Sequence, residues 1–166
     1  HVLSRRQRQM CIRDSFYDVD SLLTDEERMI RDAVRDWVDE SVIPKIENAC
    51  REGVFLDEWR QDIGSMGILG APLKGYGCPG LSYTAYGVIC RELERGDSGI
   101  RSFASVQGSL AMYPIWDFGS EDQKEKYLPR MATGELIGCF GLTEPDYGSN
   151  PGTWSRKQQK TVTALS

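Results

Sequence analysis

Residues 24–38 read Thr-Asp-Glu-Glu-Arg-Met-Ile-Arg-Asp-Ala-Val-Arg-Asp-Trp-Val, and this stretch decides the class of the fold. Thr24 is suited to the N-cap of a helix, and Glu27 three residues later completes a capping box. Apolar residues then recur at spacings of three and four, which gives one apolar face and a charged back. The members of that face are Ile30, Ala33, Val34, Trp37 and Val38. The stretch therefore predicts an amphipathic helix, which Pro44 should bend or end.

Four more helices are predicted by the same kinds of cap and periodicity. They span about residues 56–66, 82–96, 102–116 and 120–134. Residues 74–79 are rich in glycine and predict an irregular loop between the second and third helices. The apolar run 136–140 predicts a short buried strand, which leads into a turn built on Pro145, Asp146 and Gly148. The fold class is therefore mainly α, an all-α domain leading into a β domain.

Composition excludes several classes of function. The chain has 166 residues and a net charge of −5, which argues against nucleic acid as the main partner. No apolar run approaches the length of a membrane span. The only histidine is His1, so histidine-based metal sites and catalytic triads are not indicated. The five cysteines are widely spaced and odd in number, which indicates a reducing compartment, the cytoplasm or alternatively the mitochondrial matrix.

Two segments carry groups suited to chemistry. The first places Arg101, Ser102 and Ser105 near a helix N-terminus, where a guanidinium, hydroxyls and exposed N–H groups could bind a carboxylate or phosphate. Alternatively, Arg101 pairs with a neighbouring acid on the surface, either Asp97 or Glu94. The second segment, residues 139–150, is either a plain turn or a polar rim for a ring system and its phosphates. From the residues alone, both alternatives stay open at both places.

Motifs along the chain resemble a known family in matching order. They are Lys74-Gly-Tyr-Gly-Cys, Glu92-Leu-Glu-Arg, Asp97-Ser-Gly, Arg101-Ser, Ser105-Val-Gln, Tyr127-Leu-Pro and Phe140-Gly-Leu-Thr-Glu-Pro. From about residue 16 to 152 the chain is similar to the acyl-CoA dehydrogenases, and the Arg101-Ser-x-x-Ser-Val segment resembles the glutaryl-CoA dehydrogenase branch. The resemblance implies an N-terminal helical domain over residues 16–135 and the first strand of the middle β domain over residues 136–153.

The resemblance also implies roles for individual residues. Arg101 would bind the distal carboxylate of the substrate, with Ser105 and Val106 beside it, Ser102 in the same group and Glu94 behind it. Further residues would contact FAD, and the last of them could also reach the pantetheine arm of the substrate. These residues are Phe140, Gly141, Leu142, Thr143, Gly148 and Ser149.

The implied reaction is FAD-dependent α,β-dehydrogenation of glutaryl-CoA, followed by loss of carbon dioxide to give crotonyl-CoA. Electron-transfer flavoprotein would be the acceptor and a homotetramer the assembly. The catalytic glutamate of the family lies far toward the C-terminus and is not in this chain. We therefore expect that the chain alone does not catalyse the reaction. Two alternatives are a dehydrogenase or oxidase for another acyl-CoA and a non-catalytic helical interaction module.

Both ends of the chain depart from the family pattern. Residues 1–15 are basic and poor in acids, which is typical of a mitochondrial transit peptide. Residues 7–15 also resemble translated adapter or vector sequence, and we favour this second origin. With a suitable choice of synonymous codons, restoring one base ahead of Trp154 gives M-E-S-K-A-T-K-D-G-D-G-F-I for the last residues, which is a close match to the continuation of the family. We therefore expect residues 154–166 to be out of frame.

Overall fold

The computed structural model of the chain describes residues 18–145 and 148–149. The two terminal segments whose origin is in question, residues 1–15 and 154–166, lie outside these described residues, and so does Asp146 of the expected turn.

The described chain is mostly helical, as the sequence predicts. A 3₁₀ turn at Val19–Leu22 precedes the first α-helix. The α-helices are α1 (Asp25–Trp37), α2 (Ile43–Glu52), α3 (Asp57–Ser65), α4 (Tyr83–Gly96), α5 (Ser98–Ser105), α6 (Tyr113–Phe118) and α7 (Glu121–Ala132). Because π-helical turns join α1 to α2 and α5 to α6, these seven segments form five continuous helical rods. The prediction of five helices is confirmed.

The first rod begins at the predicted residue and continues past Pro44. Thr24 and Glu27 form the capping box, with the Glu27 backbone N–H donating to Thr24 Oγ1 at 3.2 Å. The rod continues past α1 through a π-helical turn at Val38–Val42. Pro44 lies in the first turn of α2, where its missing N–H leaves no helical hydrogen bond unmade. Pro44 therefore interrupts the rod with a bulge instead of ending it.

Residues 74–79 are a hairpin, so the prediction of an irregular loop is wrong. Strands β1 (Lys74–Gly75) and β2 (Cys78–Pro79) pair antiparallel. The two residues between them, Tyr76 and Gly77, have φ values of 53° and 84°. Positive φ at both central positions is typical of a two-residue hairpin turn whose twist matches that of the strands. Tyrosine is rare at such a position, and the sequence therefore gave a weak signal for it.

The fourth rod begins earlier than predicted, at Ser98 instead of residue 102. Asp97 is the N-cap of α5, and its Oδ1 accepts a hydrogen bond from the Ile100 backbone N–H at 3.0 Å. A single residue, Asp97, therefore separates α4 from α5. The rod then passes through the π-helical turn at Val106–Met112 into α6.

The core lies between these rods. The first rod packs against α4, and α4 packs against α5. Buried side chains that fill the space include Val38, Ile63, Leu93, Ile100, Met112 and Leu128. The Trp59 indole is buried with them and donates from Nε1 to the Ser41 carbonyl at 3.0 Å, which ties α3 to the first π-helical turn.

The prediction of a buried strand at residues 136–140 is wrong for the described structure. These residues form neither a helix nor a strand, and Ile137 and Phe140 are 51% and 50% exposed. A strand needs a neighbour to pair with its backbone. Here the backbone instead bonds to the helical domain: Leu136 N–H donates to the Arg130 carbonyl at 3.0 Å, and Gly138 N–H donates to Gln107 Oε1 at 2.8 Å.

Candidate functional site

Arg101 and Glu94 form an ion pair where α4 ends and α5 begins. Arg101 Nε donates to Glu94 Oε2 at 2.7 Å, and the Ser98 hydroxyl donates to the other carboxylate oxygen at 2.5 Å. The hydrogen bonds from Arg101 and Ser98 hold the pKa of Glu94 below its ordinary value. The side chains of Arg101 and Glu94 are 37% and 47% exposed, so the pair opens to the surface.

Arg101 has hydrogen-bonding capacity beyond this pair. Only its Nε takes part in the bond to Glu94, and its two terminal amino groups make no hydrogen bond to any residue within 18–145 or 148–149. A guanidinium held at Nε presents those two groups as a planar fork that suits a carboxylate. Because Asp97 instead caps α5, Glu94 is the partner that the structure selects from the two acids. The bond to Glu94 is compatible with both alternatives, a ligand-binding role for Arg101 and a simple ion pair on the surface.

The predicted hydroxyl and apolar neighbours of Arg101 follow it along α5. Ser105 lies one turn after Arg101, and its hydroxyl donates to the Ser102 carbonyl at 3.1 Å. Ser109 lies one further turn along and donates its hydroxyl to the Ser105 carbonyl. Val106, half-buried, begins the π-helical turn. The structure therefore brings Arg101, Ser102, Ser105, Val106 and Glu94 together on one side of α5.

A row of neutral side chains on α4 continues from this pair. The row consists of Cys90 and Tyr86, which lie one turn and two turns before Glu94 on the same side of α4. Burial raises the pKa values of Tyr86 and Cys90 above their ordinary values, so both side chains are neutral. Beyond Tyr86 lies a small, nearly apolar cavity of about 80 Å³ that Tyr83, Gly108 and Tyr113 also line. A ligand anchored at Arg101 would therefore meet charge at one end of the row and neutral groups along the rest.

The predicted flavin segment is displayed at the surface. Phe140 and Leu142 are 50% and 42% exposed. Gly141, Thr143, Gly148 and Ser149 are exposed as well. A Cβ added at Gly141 or Gly148 would meet nothing within 4 Å, so both face open space. Exposed apolar side chains beside open backbone form a surface that is suited to contact with an apolar or aromatic group.

Gln107 lies in the same helical rod as Arg101 and bonds to the backbone just before the predicted flavin segment. Its side chain is 1% exposed and bonds to three backbone groups at the exit of the helical domain. These are the carbonyls of Met131 and Leu136 and the N–H of Gly138. No role for Gln107 was predicted. The available signal was a polar residue on the same helical face as Ala104 and Ala111.

A buried ion cluster between α1 and α4 was not predicted either. Glu92 is 2% exposed and accepts two hydrogen bonds from Arg35, at 3.0 and 2.9 Å. Arg91 and Arg95 bond to the same carboxylate at 3.2 Å. Burial opposes ionisation of Glu92, but the hydrogen bonds and charges of Arg35 and Arg91 outweigh it and hold its pKa below the ordinary value. The cluster contributes to the packing of the helices behind Glu94.

Two other kinds of site find no support in the part of the chain that the structure describes. No group of three or more histidine, cysteine or carboxylate side chains there could hold a metal ion. None of its helices is both long enough and apolar enough to cross a membrane.

Known proteins resemble this chain over the helical domain. Residues 24–135 match the family model described as acyl-CoA dehydrogenase, N-terminal domain. A probable acyl-CoA dehydrogenase of Bacillus subtilis, YngJ, is 34% identical over 133 residues, which are 78% of this chain and 34% of that protein. The mitochondrial isovaleryl-CoA dehydrogenase of Pongo abelii is 32% identical over 142 residues, 83% of this chain and 33% of that protein.

A solved structure agrees in fold. The glutaryl-CoA dehydrogenase of Mycobacterium smegmatis in complex with FADH2 is 50% identical, superposes with a TM-score of 0.81, and is matched over 84% of this chain and 36% of its own. The chain thus spans about a third of the length of the relatives that it matches. With its five helical rods and its match over residues 24–135, this chain belongs to the acyl-CoA dehydrogenase family and carries that family's N-terminal domain.

Proposed function

We propose that this chain is the N-terminal part of an FAD-dependent dehydrogenase that oxidises glutaryl-CoA. The observation that carries the proposal is the guanidinium of Arg101, held at Nε by Glu94 with its two terminal amino groups turned to no described partner. A glutaryl thioester carries a terminal carboxylate that a butyryl thioester lacks, and this fork is suited to bind it. The 50% identity to a glutaryl-CoA dehydrogenase supports the same choice of substrate.

FAD is the cofactor of the family, and the exposed segment 140–143 fits it. Phe140 and Leu142 would cover the apolar part of the ring, while the Thr143 hydroxyl would bond to its polar edge. Gly148 would allow close approach, and Ser149 would reach phosphate or the pantetheine arm. Held by these residues, FAD would supply the hydride acceptor that α,β-dehydrogenation requires. The protein contributes position and charge to that step.

The residues of this chain would orient the acyl group and leave the proton transfer to another part of the enzyme. Arg101 would fix the distal carboxylate, and the neutral row from Cys90 to Tyr86 would favour an uncharged chain. The catalytic carboxylate, the decarboxylation step, electron-transfer flavoprotein as acceptor and a homotetrameric assembly all belong to the proposal for the whole enzyme.

The test is substrate discrimination in a full-length enzyme that carries this sequence. Arg101→Leu should lower kcat/KM for glutaryl-CoA by roughly 10- to 100-fold, which corresponds to the loss of a charged hydrogen bond, and should leave butyryl-CoA within about threefold. The matched control is Arg51→Leu, which removes an exposed arginine paired to Glu47 on α2 and should change neither substrate. The assay is bleaching of the flavin band by each thioester.

Two outcomes would point elsewhere. Equal losses for both thioesters would contradict a role of Arg101 in carboxylate binding and favour a dehydrogenase or oxidase for another acyl-CoA. A full-length protein that retains no FAD would contradict the enzyme assignment and favour a helical interaction module.

A further inference from the structure

The exit of the helical domain is fixed by one buried side chain. Gln107 Nε2 donates to the carbonyls of Met131 at 3.1 Å and Leu136 at 2.7 Å, while its Oε1 accepts from the Gly138 N–H at 2.8 Å. Met131 belongs to α7, whereas Leu136 and Gly138 belong to the segment that leaves it. Gln107 thus bonds on both sides of the turn that closes the domain, using both amide hydrogens and its carbonyl oxygen.

Because these hydrogen bonds are buried, their loss would leave backbone groups without a partner. Because Gln107 is 1% exposed, the backbone groups that it satisfies could not find water in its place without opening the domain. The amide is also directional: only a side chain with a donor end and an acceptor end can serve two carbonyls and an N–H at once. The three contacts therefore fix both the path and the register of residues 136–138.

A second, independent contact fixes the same segment. A Cβ added at Gly138 would lie 2.4 Å from the Ala111 Cβ and 2.8 Å from the Met131 Cε. Gly138 therefore lies directly against the π-helical turn Val106–Met112, which also carries Gln107. The close approach requires glycine at position 138 and a small side chain at position 111. Phe140 follows two residues later, 50% exposed.

We propose that Gln107, together with the contact of Gly138 on Ala111, positions the flavin-facing segment 140–143 against the helix that carries Arg101. Gln107 touches neither substrate nor cofactor and is a positioning residue. This inference rests on the part of the proposed function that assigns segment 140–143 to FAD. It does not depend on the choice of acyl-CoA. The same helical rod then sets the place of the substrate anion through Arg101 and the place of the flavin edge through Gln107.

The experiment compares FAD binding in full-length holoenzymes that carry this sequence. Gln107→Met keeps the length of the side chain and removes all three hydrogen bonds. We expect it to raise the FAD dissociation constant by about tenfold or more and to change the visible circular dichroism of the flavin. The ratio of kcat/KM for glutaryl-CoA to butyryl-CoA should stay within about twofold, since Arg101 is untouched. The control is Leu93→Ala, which removes a fully buried side chain on α4 away from this exit and should lower Tm without changing the flavin spectrum.

A second pair of variants tests the position without altering Gln107. Gly138→Ala should weaken FAD binding because its Cβ cannot fit against Ala111, and Ala111→Gly in the same protein should restore much of the loss. This pair also decides the question if Gln107→Met fails to fold.

The outcomes separate the two hypotheses. If Gln107→Met lowers Tm like Leu93→Ala but keeps the FAD affinity and spectrum of the wild type, Gln107 is merely structural and the inference is wrong. If Ala111→Gly gives no rescue, the packing contact does not position the segment. An enzyme that binds FAD but does not oxidise glutaryl-CoA would overturn only the proposed substrate, and one that binds no FAD would overturn both proposals.

Discussion

Replacing the buried carboxylate of Glu92 should lower the free energy of unfolding of this domain substantially. Glu92 lies on α4, 2% exposed, and accepts hydrogen bonds from Arg35 on α1 and from Arg91 and Arg95 on its own helix. Glu92→Gln preserves the shape of the side chain and replaces one acceptor oxygen with an NH2 group. That group then faces guanidinium donors, so the substitution removes bonds and adds a donor opposite donors.

The magnitude follows from the geometry of the pair with Arg35. Its two bonds, at 3.0 and 2.9 Å, have lengths typical of charge-assisted contacts. Breaking a buried ion pair by removing one partner costs about 3–5 kcal/mol, and the amide oxygen of glutamine recovers part of this. We therefore expect Glu92→Gln to lower the free energy of unfolding by about 3 kcal/mol. The matched control is Asp39→Asn, which removes a 48% exposed partner of Arg95 and should cost under about 1 kcal/mol.

The assay is urea unfolding of the chain followed by far-UV circular dichroism, and pH supplies a second measurement. Burial opposes the charge of Glu92, but Arg35 and Arg91 hold its folded pKa below the ordinary 4.5. A carboxylate with a lowered folded pKa stabilises the fold above its unfolded pKa and loses that contribution as pH falls through the folded value. The difference between wild type and Glu92→Gln should therefore be constant above about pH 5 and should shrink below 4.5. Equal stabilities at neutral pH, or a difference that does not change in acid, would refute this reasoning.

Two further predictions concern packing and thiol chemistry. Gly64→Ala should lower the free energy of unfolding by about 1–3 kcal/mol, because its Cβ would lie 2.1 Å from the Thr133 carbonyl oxygen. In the control Gly87→Ala, the added Cβ would meet nothing within 4 Å, so this change should stabilise helix α4 by roughly 0.5–1 kcal/mol. Urea unfolding measures both variants, and a loss of stability in both would contradict the packing argument. Burial raises the pKa of Cys78 from 9.0 to about 11. Its thiolate fraction at about pH 8 is then roughly 100-fold below that of an unperturbed thiol, and peptide mapping after iodoacetamide treatment should find exposed Cys50 alkylated long before Cys78.

The helices were predictable because their signals are local. Thr24, Ser82 and Ser120 each stand at the N-cap that the sequence indicates, and each accepts a bond from a backbone N–H three residues later. Capping and periodicity act within one or two turns, so no distant residue is needed to recognise them. The predicted start of this helix near residue 102 is four residues late, because the local signal for its N-cap is Asp97, which the spacing equally allows as a surface partner of Arg101.

The extended elements were less predictable because their pairing is not local. Residues 136–140 have the apolar pattern of a strand, yet a strand forms only beside another, and in the described chain this segment bonds to Arg130 and Gln107 instead. The hairpin at residues 74–79 was missed for the opposite reason. Its turn places Tyr76 at a positive φ, where tyrosine is uncommon.

The residues of the candidate site also differ in how local their signals are. Arg101, its hydroxyl neighbours and Glu94 lie within twelve residues of one another, and resemblance alone was enough to group them. Gln107 acts across 24 to 31 residues of chain, and a glutamine on a helix gives no sign of which distant backbone it will meet.

The rod formed by α5, its π-helical turn and α6 carries different chemistry on two sides. Half-exposed Arg101 and exposed Ser109 lie toward solvent, whereas Gln107 and Ala111 are buried and contact the exit segment. Gln107 and Ala111 both belong to the π-helical turn and are four residues apart, which places them on the same side of the rod, so that both meet the exit segment. Because Arg101 and Gln107 belong to one rod, a substitution that changes the backbone path of this π-helical turn, unlike one that changes a single side chain, should disturb the substrate anion and the flavin segment at the same time.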